Sequence, residues 1–171
     1  MTVDSAMVAA ADYRDAMARF ASGVTIVTTA DESGRWFGFT ASSFTALSMD
    51  PPLILVCLAR TARCHPVFRA APRFRVNVLG LEHEQLAVRF ATSGADKFGG
   101  NEFHADPESG LPVLEGALVG LECSTTDITE GGDHTILIAR IEAVALRRDG
   151  VPAVHADRRF WDLVPRRKDQ Q

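Results

Sequence analysis

The chain has 171 residues, 46% of them apolar and 23% charged, enough to build the core of one ordinary domain and too apolar for a disordered polymer. A net charge of −4 argues against general nucleic-acid or anionic-membrane binding, which both need a broad basic surface. Three cysteines without a CxxC pair argue against a disulfide framework and a structural zinc site.

Reduced thiols fit the cytoplasm. The N-terminus carries acids and no basic segment, so it does not read as a signal peptide, and no apolar run reaches the length of a membrane span. Residues 1–7 and 165–171 are expected to be flexible ends around a single domain over 8–164. Val8 to Ala21 reads as a helix with Tyr13, Met17 and Phe20 on one face, stopped by Gly23. "VTIVTTA" (24–30) is β-branched and strand-like, "DESGR" turns through Gly34, and "WFGF" returns as a strand that becomes small and polar at Thr40 to Ser43.

"PPLILVCLA" is a continuous apolar run, read as a strand buried on both faces. "ARTARCHPVFRAAP" is a loop with a short helix. "RFRVNVLG" alternates, with Phe74, Val76 and Val78 on one side, and reads as half-buried. "EHEQLAVRFAT" is helical, with Leu86 and Phe90 four apart; residues 94–112 are loop-rich. "GALVGLECSTTDIT" and "HTILIARIEAVALR" are two long strands joined by "EGGD", and a short strand over Pro152–Ala156 precedes "RRFWDL". The fold class is therefore mainly β, a closed or nearly closed antiparallel barrel with a few short peripheral helices.

Several engines are missing. No GxGxxG follows a strand, and neither a P-loop, HExxH nor GxSxG is present; the five histidines lack ligand spacing. A bound cofactor is left to supply the chemistry. Four small residues in a row, Thr40, Ala41, Ser42 and Ser43, let backbone N–H groups approach a flat ring or a phosphate, although such a run also suits a bulged strand. Arg60 and Arg63 follow the buried strand in a loop, where a guanidinium suits phosphate or simply faces water. Arg89 and Lys97 are further candidate cations. Gly131 and Gly132 free the backbone in front of His134, whose imidazole at a strand start could bond an amide, stack on a ring or face solvent.

These stretches occur together and in one order: "YRDAMARFASGVTIVTT", "GFTASSFTALSMDPPLILVCL", "RFRVNVL", "QLAVRF" with "DKFGG", "GGDHTILIARIEAV" and "PAVHADRRFWDL". Over about residues 12–163 the chain resembles the short-chain flavin reductases, the reductase components of two-component flavin-dependent monooxygenases. The resemblance implies a split β-barrel, usually a homodimer, that moves hydride from NADH or NADPH to FMN or FAD and releases reduced flavin to a partner monooxygenase. It implies cofactor contacts from Thr40, Ala41, Ser42, Ser43 and Phe44, from Cys57, Leu58 and Ala59, from Ala62, Arg63 and Cys64, and from Arg89 and Phe90. His134 falls where the nicotinamide docks and is the candidate catalytic residue. Ala62 and Cys64 stand where many relatives have serine or threonine, which leaves more of the phosphate to Arg63. The rival readings are a split barrel that keeps its flavin and passes electrons itself, a non-catalytic binding barrel, and a pyridoxamine-phosphate-oxidase-like enzyme.

Overall fold

Runs of Val, Ile and Thr make strand the commonest regular element. The computed structural model describes residues 8–165, so the expectations for the flexible ends fall almost wholly outside it. In chain order the elements are α1 (Ala10–Ala18), β1 (Ser22–Gly23), β2 (Thr25–Ala30), β3 (Trp36–Ala41), β4 (Thr45–Ser48), β5 (Leu53–Ala59), α2 (His65–Ala70) and β6 (Arg73–Val78). A 3-10 turn at Leu81–His83 leads into α3 (Glu84–Ala91), followed by β7 (Phe103–Ala105), β8 (Pro112–Leu114), β9 (Val119–Gly131), β10 (His134–Leu146), β11 (Val154–Ala156) and β12 (Arg159–Trp161). No helix among the described residues is long and apolar enough to cross a membrane.

One seven-stranded antiparallel sheet, in the order β3-β2-β6-β9-β10-β5-β4, curls round a core. Val27, Val56, Phe74 and Leu137 fill its inside without exposure to solvent, with Phe68 of α2 closing one end. The sheet does not close into a full ring. Its edge strands β3 and β4 are consecutive in the chain, and the link between them touches β5 at one point: the Ser43 hydroxyl donates to the Cys57 carbonyl (3.2 Å) and accepts the Cys57 N–H (3.0 Å). Beyond that clasp the outer edge of β3 pairs with no strand, and the barrel is split there.

A second core lies outside the sheet, where Ile26 and Leu79 meet Leu86, Ala87 and Phe90 of α3. It explains one departure from the sequence pattern. β6 was expected to be half-buried, yet Arg75 and Asn77 on its outer side are buried too. Asn77 donates to the Ile26 carbonyl and accepts the N–H of Leu114, and Thr28 donates to the Pro112 carbonyl. These bonds fasten the β7–β8 loop region over β2 and β6, so Asn77 and Thr28 stay satisfied under a cover that alternation cannot reveal, while the buried Arg75 Nε has no hydrogen-bond partner.

Two further expectations are corrected. β5 is buried on one face, through Ile54, Val56 and Leu58, while Leu53, Leu55, Cys57 and Ala59 are half-exposed on the other. A continuous apolar run here signals an uncovered outer face. The N-terminal helix is real but shorter than Val8–Ala21, and Tyr13, Met17 and Phe20 are all exposed, so its apolar face has no partner among the described residues.

Candidate active site

The split opens into a cleft of about 860 Å³, near the upper end for small-molecule sites. Its floor is the free edge of β3. That edge is lined with small residues because the sequence from Gly38 to Ser43 carries only one large side chain, Phe39, which turns into the core. Gly38 has a tight role: a Cβ there would lie 2.7 Å from Cε1 of Phe90, so α3 can press its ring on the strand only where there is no side chain.

The far wall is built by pairing. In the antiparallel register Ala59 at the end of β5 stands opposite His134 at the start of β10, and Cys57 opposite Ile136. Side chains on directly opposed residues share a face, so Cys57, Ala59 and His134 come to one mouth. His134 is placed there by a two-residue hairpin turn, in which Gly132 takes φ +68°. Asp133 Oδ1 lies 2.7 Å from His134 Nδ1. The imidazole hydrogen bond holds the Asp133 carboxyl below the usual carboxylate range, which fits a carboxylate accepting Nδ1–H. Nε2 then remains to accept a donor from the cleft.

The third wall joins the loop after β5 to the loop after α3. Arg63 is exposed and lines the cleft, and a Cβ at Gly94 would sit 3.8 Å from its Nη1, so the second loop closes over the arginine. Lys97 donates to the carbonyls of Gly38 (3.1 Å) and Phe90 (2.5 Å), taking up one free acceptor of the β3 edge. Burial lowers the Lys97 ammonium, and the Cys64 thiol works against that shift; burial raises Cys64, and Lys97 opposes it. With Arg35, the cleft holds three basic side chains against one carboxylate, Asp96, in a chain whose net charge is −4. The local charge therefore has the sign that attracts an anion.

Of the residues named from the sequence, Thr40, Ala41, Ser42, Ser43, Cys57, Leu58, Ala59, Ala62, Arg63, Cys64, Phe90 and His134 all line the cleft. Two do not. Phe44 packs against the barrel core, and the Arg89 guanidinium turns to Glu102, with Nη2 2.5 Å from Oε1. Two of the three hydroxyls anticipated for a ligand are already used by the fold: Thr40 donates to the Ala87 carbonyl at 2.6 Å and Ser43 clasps Cys57, leaving the exposed Ser42. Arg60, the other loop arginine, faces Glu130 at 3.7 Å. Sequence reasoning missed Arg35, Trp36, Gly38 and Phe98 as cleft residues. The signal for Phe98 was the "DKFGG" stretch; for Trp36 it was only its place on a strand whose edge proved free.

A family model described as "Flavin reductase like domain" matches residues 17–163. The chain is 50% identical over 150 residues to the "Actinorhodin polyketide dimerase" of Streptomyces coelicolor, covering 88% of this chain and 84% of that one. It is 48% identical over 126 residues to the NADH:riboflavin 5'-phosphate oxidoreductase of Streptomyces pristinaespiralis, covering 74% and 72%. A reductase component of a 4-nitrophenol monooxygenase from Rhodococcus opacus is 40% identical over 157 residues, covering 92% and 83%. Among solved structures, the NADH:FAD oxidoreductase SgcE6 of Streptomyces globisporus, bound to NAD and FAD fragments, superposes with a TM-score of 0.86 at 33% identity, covering 92% of this chain and 94% of that one. The split barrel is thus a shared architecture, and the chain belongs to the flavin reductase like family.

Proposed function

We propose that this protein is a flavin reductase that takes hydride from NADH and passes reduced FMN or FAD to a separate monooxygenase. The observation that carries the reading is the free edge of β3, opening into a cationic cleft with His134 at its mouth. The residues fit a phosphorylated flat heterocycle: small side chains at Gly38, Ala41 and Ser42 expose backbone donors and acceptors to a ring, and Arg63 and Lys97 supply charge for phosphate. The similar proteins named above support NADH as donor and a monooxygenase as recipient.

The flavin, when bound, supplies the two-electron acceptor, and hydride transfer asks of the protein only that two rings lie about 3–3.5 Å apart. Ala41, Cys57 and Ala59 keep side chains out of that space. The Nε2 lone pair of His134 accepts the carboxamide N–H of the nicotinamide and sets its position in the plane. Arg63 and Lys97 would hold the flavin phosphate, and N–H groups of the 40–44 segment would stabilise negative charge on a reduced ring, the Cys57 N–H being taken by Ser43. Arg89 takes no part, because Glu102 holds it. The protein acts as a homodimer: Leu55 and Ile138 stand opposite one another as half-exposed apolar residues on the outer face, and α1 offers Tyr13, Met17 and Phe20. Three free cysteines support a cytoplasmic site of action.

The test is NADH and NADPH oxidation by the purified protein with FMN, FAD and riboflavin in turn, followed by desalting. Turnover with added flavin and a colourless protein afterwards are expected. No oxidation with any flavin refutes the reading, and a yellow protein after turnover points to a flavin-retaining electron carrier.

A further inference from the structure

One end of the cleft has no role in the proposed chemistry. β3 runs along it from Ala41 to Trp36, the two ends of a six-residue strand, about 17 Å at roughly 3.3 Å per residue. Ser42, Cys57, Ala59 and His134 gather at the Ala41 end. Arg35, Trp36 and Phe98 line the wall at the other. Trp36 and Phe98 are both half-buried and meet edge to face, ring centres 5.5 Å apart and planes at 66°. Phe98 is itself held edge-on by Phe90 and Phe103, each at 5.1 Å. A fixed aromatic wall, partly open to a cleft, is a stacking platform for a flat base. Two cations line the same cleft. Arg35 lies over the Phe37 ring with Cζ 5.2 Å from its centre, and the Lys97 ammonium is 5.8 Å from the Phe90 ring centre, between the two ends of the cleft.

We propose that the Trp36–Phe98 end binds the adenylate half of a dinucleotide, the adenine against the indole and the phosphates between Lys97 and Arg35. The proposal rests on the flavin-reductase reading and adds a selectivity to it: a mononucleotide fills the His134 end and leaves this end unused, whereas a dinucleotide reaches both. Two molecules in the reaction carry that adenylate, FAD and NADH. A core-packing role alone would not discriminate between a mononucleotide and a dinucleotide.

The experiment compares wild type, Trp36→Ala and Trp36→Phe in fluorescence titrations with riboflavin, FMN and FAD, and in steady-state assays with NADH and reduced nicotinamide mononucleotide. The expected result is FAD affinity about tenfold weaker in Trp36→Ala, the scale of one lost base stack. FMN and riboflavin affinities stay within about twofold, and Trp36→Phe recovers most of the loss. If FAD and FMN respond alike while the KM for NADH rises and that for the mononucleotide does not, the same subsite holds the adenylate of NADH. Equal effects on mononucleotides and dinucleotides in both arms overturn the proposal. Unchanged FMN binding shows that the variant is folded, and a wild-type protein that binds no flavin fails the parent reading instead.

Discussion

In the proposed reaction His134 acts by where it stands and by which nitrogen it leaves free. Asp133 occupies Nδ1, so Nε2 can accept one hydrogen bond from a nicotinamide carboxamide. A neutral hydrogen bond contributes about 0.5–1.5 kcal/mol. His134→Ala should therefore raise the KM for NADH roughly three- to tenfold while the Kd for flavin stays the same; an unchanged NADH dependence in stopped-flow reduction would remove the residue from the site. The cysteines separate in the same way by place. Cys57 is half-exposed in the cleft, while Cys123 is wholly buried, and its burial beside Glu122 pushes the thiol up to about 12. A thiol reagent should label Cys57 first, FMN should slow that labelling, and Cys123 should react only on unfolding. Mass spectrometry of partly labelled protein reads all three outcomes, and FMN-independent labelling of Cys57 would place the flavin elsewhere. The identities of these residues were plain in the sequence; the pairing that puts Ala59 beside His134 was not, because 75 positions separate them.

At the scale of elements, the site depends on a strand edge kept bare. Lys97 takes the Gly38 carbonyl and α3 rests its Phe90 ring on Gly38, which holds β3 in place on the edge that no second strand covers. Gly38→Ala should cost about 1–3 kcal/mol in chemical denaturation, the scale of an overpacked contact, because the new Cβ meets Phe90 at 2.7 Å and the Val27 carbonyl at 3.1 Å. It should also weaken flavin binding by displacing the α3 wall; a variant as stable and as tightly binding as wild type would show that the ring moves aside freely. Most element types could be read from alternation, turn glycines and β-branching. The misread strands were β5 and β6, for one reason in two forms: period-two patterns describe which faces are apolar, and not whether another part of the chain covers them.

At the scale of the whole molecule, the α1 face and the outer strip of β5 and β10 carrying Leu55 and Ile138 are apolar surfaces left uncovered among the described residues. Leu55→Glu, which puts a charge on that strip and spares the interior, should shift the protein from dimer to monomer in sedimentation velocity; a wild-type protein that is already monomeric would discard the homodimer. The same strip continues into Cys57 and Ala59, so the proposed dimer surface and the cleft share one face of one strand. The sequence by itself determined that this is a mainly β barrel with short helices, which residues are small enough to admit a flat ring, and where the turn before His134 must fall. These are local properties, set by side-chain shape and backbone freedom within a few residues. Only the tertiary structure decided that the barrel stays split beside β3, that Thr40, Ser43 and Arg89 are spent on the fold, and that Trp36 and Phe98 meet at the far end of the cleft. Those outcomes depend on contacts between segments dozens of residues apart, where the three-dimensional path of the chain, rather than the pattern along it, chooses each group's partner.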